Sequence, residues 1–410
     1  MITLNLNRRD FIKYSSITGI LPHLNDKITL NNKSVIFLFL SGGISSVESY
    51  APSDSVPEEY RSLVGSLNTN IASYKIGGSF IKQSTICDKM SIFKNFAHTN
   101  SGHSGASHWV ITGKNHREAD NGAVPIWPSL GSVTSRYFGT TNDNGLPYYV
   151  KTNGHYSDGP SWLGGQFEPF DSSGDGRRNM ELNLSKTRLD NRIQLLKEFD
   201  KLDKLNNDTI TINEFNKQAY SLLINDAKNA FNIEQEPQHI KDLYGNTKTG
   251  KNLLLARRLC QSGSKFVFVS DGNWDFHSGL RNLWDKQAPS LDQAIYGLIT
   301  DLYQSGLHKD ILLIITSEFA RTPKINNLIG RDHFPYVITL VMSGGNLNHG
   351  QVIGECSDKA DKIIGHQYEP KHLICSIFKY LDINTNLQYT DNFGRPQNLC
   401  ESSDYINEIF

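Results

Sequence analysis

Four short apolar runs, each cut off by Gly, Ser or Asp, set the architecture expected of this chain. Residues 33–40 stop at Ser41-Gly42-Gly43, 265–270 at Asp271-Gly272, 310–316 at Ser317-Glu318 and 336–342 at Ser343-Gly344-Gly345. Unbroken rather than alternating apolarity reads as strands covered on both faces, as in a mostly parallel sheet. Helical patterns lie between them. Residues 249–262 form one, and Leu291, Ile295, Leu298, Ile299 and Leu302 mark a second over 291–305 that ends at Gly306. Strand and helix alternating in this way predict an open α/β sheet flanked by helices on both faces. Ligands of such sheets bind at the carboxyl ends of the strands, so the residues just past each run become the candidates. Residues 187–232 differ: two periodic stretches, 188–202 and 212–231, read as a helical insertion with a solvated charged face.

Charge and length narrow the class. The 410 residues carry 41 Lys+Arg against 42 Asp+Glu, a formal net charge of −1, which gives no reason to expect nucleic acid as a partner. The longest apolar run, 35–40, falls far short of the about 20 residues that cross a bilayer, so no integral membrane segment is expected. Five scattered cysteines form no CxxC pair, which points away from a thiolate zinc site. Near the start, Asn7-Arg8-Arg9-Asp10-Phe11-Ile12-Lys13 is similar to a twin-arginine export signal. Residues 1–30 are therefore expected to be an export signal leading to the periplasm or the outside of the cell, and 31–410 the folded domain.

The strand ends collect metal-binding chemistry. Ser45, Ser46 and Glu48 follow the first run; Asp275 and His277 follow the second. Glu318 and Arg321 follow the third, with Arg331, Asp332 and His333 soon after. Residues 100–108 add His103, His108, Ser101, Ser104 and Ser107. Imidazole and carboxylate groups at one sheet edge suit Zn or Mn, and oxygen-rich variants suit Mg or Ca. One or two such ions would polarise a phosphoryl or sulfuryl oxygen. Arg321 and Arg331 could clamp the anion's oxygens. The bland alternative for each group is loop capping or a structural salt bridge.

These motifs together resemble a known family. Arg8-Arg9-Asp10-Phe11, Phe37-Leu38-Phe39-Leu40, Asn100-Ser101-Gly102-His103-Ser104, Gly131 to Phe138, Trp274-Asp275-Phe276-His277, Glu318 to Pro323, Gly330 to His333 and Phe393 to Pro396 occur in its order along nearly the whole chain. The chain looks like the sulfatase-like proteins with twin-arginine signals, a family catalogued as a domain of unknown function within the alkaline phosphatase superfamily. The resemblance implies an alkaline phosphatase-like α/β sheet whose metal ligands follow the strands. It implies that Asp275 and His277 hold one metal, that Glu318 stands where an acidic ligand follows a strand, and that Asp332 and His333 form the late ligand group. Glu48 stands where relatives carry Asp, and Ala51 replaces the next acidic position.

The nucleophile departs from the sulfatase pattern. Counting back from Ile111-Thr112-Gly113 places His103, not a cysteine, where a sulfatase carries its formylglycine residue, and no Cys-x-Pro-Ser-Arg occurs. Ser101, Ser104 or Thr99 could attack with His103 or His108 shuttling the proton; alternatively a hydroxide held by metal attacks and His103 is ligand or acid. The expected activity is hydrolysis of a sulfate or phosphate ester of a small molecule or saccharide. A catalytically silent binding protein on the same fold is the alternative, and a metal-dependent isomerase or phosphomutase a third.

Overall fold

The computed structural model of the protein describes residues 31–173, 227–400 and 405–410. The expected export signal and nearly all of the expected 187–232 insertion lie outside the described residues; its described end contains a short helix, Ala227–Ala230.

Burial on both faces governs the central sheet. Strand β1 is Ser34–Leu40, buried at every position. Ile36, Leu38 and Leu40 enter one core, while Val35, Phe37 and Phe39 enter a second on the opposite face. Successive side chains of a strand point to opposite faces, so a run without polar residues needs two covers. The other strands are β2 (Ser91–Phe93), β3 (Tyr149–Thr152), β4 (Phe170–Asp171), β5 (Phe266–Asp271), β6 (Ile311–Thr316), β7 (Leu340–Gly344) and β8 (Gln351–Ile353). Their order is β8-β2-β7-β6-β1-β5-β3-β4. All neighbours run parallel except β7, which is antiparallel to both β2 and β6.

Helices supply the covers. We label α1 His103–Thr112, α2 Leu130–Phe138, α3 Lys248–Gln261, α4 Leu280–Ser305 and α5 Pro370–Tyr380. Residues of α3 and α4 fill the first core, and residues of α1, α2 and α5 the second. The α/β architecture with helices on both faces is therefore present, and no helix among the described residues is long and apolar enough to cross a membrane.

Two expectations are corrected. The run 336–342 becomes a strand only from Leu340 and points the other way, so its Ser343-Gly344-Gly345 exit lies at the opposite edge from the ends of β1, β5 and β6. The helix expected over 291–305 starts at Leu280, eleven residues earlier, with Pro289 inside it. Proline costs one hydrogen bond and crowds the preceding turn. Leu280, Trp284 and Ala288, all fully buried, hold that first stretch helical against the core.

Candidate metal centre

The site is built where β1, β5 and β6 end together. Past β1, Gly42 and Gly43 adopt φ of 104° and 82°, a backbone region open to glycine at little cost. Close approach reinforces the choice: a Cβ on Gly42 would lie 2.7 Å from the Asp275 nitrogen, and one on Gly43 2.6 Å from the Phe319 ring. The bare backbone can thus press against Asp275 from the β5 exit and Glu318 from the β6 exit, and Gly42 N–H donates to Glu318 Oε1 at 2.7 Å. The first residue of α1, His103, meets the same Oε1 through Nδ1 at 2.7 Å. A two-residue antiparallel pairing of Ala320–Arg321 with His333–Phe334 brings His333 in from the far loop.

Three imidazoles surround Asp275. His103 Nε2 is 3.3 Å from Asp275 Oδ2. His277 Nε2 and His333 Nε2 lie 3.0 and 3.2 Å from Oδ1, and 3.0 Å from each other. Each ring's other nitrogen faces an acceptor: His103 Nδ1 the Glu318 carboxylate, His277 Nδ1 the Asp332 carboxylate at 2.8 Å, and His333 Nδ1 the Ser101 carbonyl at 2.8 Å. Each ring thus turns Nε2 to the Asp275 carboxylate and Nδ1 to an outer acceptor, and a neutral ring with its hydrogen on Nδ1 presents a lone pair inward. Neutral His277 and His333 rings so arranged aim their Nε2 lone pairs at a carboxylate, which is repulsive unless a cation intervenes. Metal-bound histidines commonly have this arrangement, with the outer nitrogen donating to a carboxylate or carbonyl. The ligand atoms of His103, Asp275 and His333 lie within 4.8 Å of one another. Glu318 Oε2 is buried without a hydrogen-bond partner, as a carboxylate awaiting a cation would be. The donor set fits a divalent ion of the Zn or Mn kind.

Charge around the cluster is uneven. Burial would raise the Asp275 carboxyl, but the hydrogen bond and charge of Arg321 outweigh it and hold it down at about 2. The Glu318 carboxylate raises His103 above the ordinary imidazole value, whereas burial lowers His333. The His277 hydrogen bond lowers Asp332. Arg321 is 1% exposed and spends its donors on Gly43 O at 2.9 Å, Gly42 O, Arg331 O and Asp275, with NH1 3.4 Å from His277 Nε2.

The structure thus brings His103, Asp275, His277, Glu318, Arg321, Asp332 and His333 together. It places five other expected residues differently. Glu48 and Arg331 are fully buried and bind each other, with Arg331 NH2 2.8 Å from Glu48 Oε1. Arg331 also donates to the carbonyls of Thr322, Pro323 and Arg61. With its donors engaged inside the protein, Arg331 is not presented to an anion, and Glu48 is not presented to the cluster. His108 is buried on the helix side, its Nδ1–H donating to Lys114 O at 2.8 Å. Ser101 contributes its carbonyl to His333, and Ser104 follows His103 in the first turn of α1.

Two histidines outside the expected set adjoin the centre. His98 Nε2 is 2.6 Å from the Glu318 carbonyl and pins that residue's backbone. Burial pushes its ring down to about 4. His155, three residues past β3, reaches Ser41 Oγ at 3.3 Å through Nε2. The run 149–152 ending at Asn153-Gly154 has the same strand-and-stop grammar as the others, but Lys151 interrupts its apolarity.

A family model described as "Protein of unknown function (DUF1501)" matches residues 32–410. The chain belongs to this family. No curated protein sequence matches the DUF1501 chain. Among solved structures it is similar to the lipoteichoic acid synthase LtaP from Listeria monocytogenes, at 9% identity and a TM-score of 0.41 over 87% of this chain and 73% of that one. It is similar to the PsFucS1 sulfatase from Pseudoalteromonas sp., at 10% identity and a TM-score of 0.41 over 87% and 69%. It is also similar to an alkaline phosphatase from the Antarctic bacterium TAB5, at 14% identity and a TM-score of 0.38 over 86% and 98%. Likenesses this distant say nothing about chemistry, which rests on the residues themselves.

Proposed function

We propose that the protein is an exported, metal-dependent hydrolase of sulfate or phosphate esters, acting on a small molecule or a saccharide. The observation that carries the reading is the inward turn of three Nε2 atoms onto Asp275 while every Nδ1 is held by an outer acceptor. Asp275, His277 and His333 would hold the ion. A bound divalent ion would supply Lewis-acid stabilisation of charge developing on the ester's oxygens. The remaining work falls to the chain. Glu318 holds the Nδ1–H of His103 and favours its charged form, so His103 keeps a proton on Nε2 for the departing oxygen. Arg321 fixes Asp275 and adds positive charge beside it. The side chains of His103, Asp275 and His277 are 40%, 42% and 43% exposed, so a substrate can reach them.

The test is turnover of aryl phosphates and aryl sulfates by protein loaded with Zn or Mn. His103→Gln should keep the ion and lose turnover, whereas Asp275→Ala should lose both. Absence of turnover for both ester classes by an ion-loaded protein would leave the second reading, a silent binding protein. One observation favours that reading: Arg321 already offers a cation to Asp275 and His277.

A further inference from the structure

The loop between the paired segments at 320–321 and 333–334 exposes its apolar tip, yet that tip is tied down by hydrogen bonds. Leu328 and Ile329 are 66% and 59% exposed. Ile329 sits at φ 55°, a conformation that a β-branched residue adopts only when its surroundings impose it. What imposes it here begins with Asn326, through its side chain and its backbone. Asn326 Oδ1 accepts from Leu328 N–H and Gly330 N–H, each at 3.0 Å, and Asn326 N–H donates to Gly330 O at 2.9 Å. The closed loop then lies on the β5 exit. Gly279 N–H and Leu280 N–H donate to Leu328 O and Ile329 O at 3.0 and 2.9 Å. A Cβ on Gly330 would fall 2.1 Å from the His277 carbonyl carbon.

The other end of the same amide faces the centre. Asn326 Nδ2 donates to the His277 carbonyl at 3.0 Å and to Asp332 Oδ1 at 3.2 Å. That Oδ1 is the acceptor of His277 Nδ1 at 2.8 Å. Asp332 has a side chain 55% exposed. An exposed carboxylate has several rotamers open to it unless something holds it. Asn326 therefore grips both ends of the His277–Asp332 pair, the backbone of one and the carboxylate of the other.

We propose that Asn326 is a positioning residue of the centre, holding Asp332 so that His277 keeps its hydrogen on Nδ1 and turns Nε2 to Asp275. The inference rests on the metal-centre reading for its consequence, but its structural claim concerns His277 alone. Outer partners of this kind typically change ion affinity by about 10–100-fold when removed. They act through the residue they hold, so their effect vanishes once that residue is gone.

Four proteins test it: wild type, Asn326→Ala, Asp332→Ala and the double variant, each titrated with Mn and Zn ions. His277 is followed in the ion-free state by long-range proton–nitrogen-15 correlation. Asn326→Ala should bind the ion about 10–100-fold more weakly and lose the Nδ1–H form of His277, and the double variant should bind no more weakly than Asp332→Ala. Asn326→Asp keeps the acceptor that closes the loop, removes the amide donor and sets a second negative charge beside Asp332. It should also lose the Nδ1–H form, and it serves in place of Asn326→Ala if that variant does not fold. An unchanged His277 tautomer in the variants, or a double variant weakened by the product of the single effects, overturns the proposal. A wild type that binds no ion overturns the hydrolase reading instead, and the His277 spectrum still decides the role of Asn326.

Discussion

Replacing Glu48 should damage the fold and spare the ion. Glu48 and Arg331 are both 0% exposed and 283 residues apart. Glu48 accepts from Arg331 Nε at 3.0 Å, Arg331 NH2 at 2.8 Å, Ser45 Oγ and Leu63 N–H at 3.2 Å. Glu48→Ala leaves a buried guanidinium with only the carbonyls of Thr322, Pro323 and Arg61 around it. Breaking one side of a buried pair costs about 3–5 kcal/mol, a large share of the roughly 5–15 kcal/mol that holds a typical domain folded. Removing both charges, as Glu48→Leu with Arg331→Met, should cost less than the sum of the single changes, because no charge is stranded. Urea unfolding followed by tryptophan fluorescence gives the stabilities, and metal analysis of the folded variants gives the ion content. A Glu48→Ala protein with wild-type stability but a lost or weakened ion would refute this placement and return Glu48 to the ligands.

Three further outcomes are expected, two from the geometry and one from the sequence. His108 donates from Nδ1 to Lys114 O and accepts the Trp127 N–H at Nε2, so it must stay neutral, and burial pushes it down to about 4. An unfolded histidine takes its proton near 6.5, so stability should fall as pH drops from there towards 4, by about 3 kcal/mol for this group; urea midpoints at pH 5 and 7 should differ less in His108→Asn, and an unchanged slope would contradict the assignment. Asp292, 4% exposed within α4, accepts the Lys82 and Gln83 N–H groups at 2.8 and 3.0 Å. Asp292→Ala should cost about 1–3 kcal/mol in thermal or urea unfolding; a neutral result would mean that these donors find other partners. Arg8→Lys with Arg9→Lys should keep the protein in the cytoplasm on cell fractionation, and continued export would remove the twin-arginine reading.

How far the sequence announced this structure depends on whether a signal is local. Strands β1, β5 and β6 were legible within a residue of their ends, because continuous apolarity stopped by Gly, Ser or Asp has a local cause. Strand β3 escaped because it is four residues long and carries Lys151, and His155 went unnoticed with it. Pro289 hid the first turns of α4, since helix-breaking by proline is local and its rescue by Leu280, Trp284 and Ala288 is tertiary. The reversed direction of β7 has no local signature at all. In the centre, the motifs brought forward Asp275, His277, Glu318, Asp332 and His333, which geometry does gather. Nothing in the sequence pairs Glu48 with Arg331, so two charged residues in promising positions were indistinguishable from ligands.

The proposed hydrolase needs Asp275 and the imidazoles around it to hold a divalent ion. Metal analysis of the purified protein, beside an Asp275→Ala, His333→Ala double variant of confirmed fold, addresses it directly. At least one stoichiometric ion is expected in the wild type and none in the variant. Wild-type protein without an ion after reconstitution with Zn, Mn, Mg and Ca, or a variant that retains its ion, would contradict it.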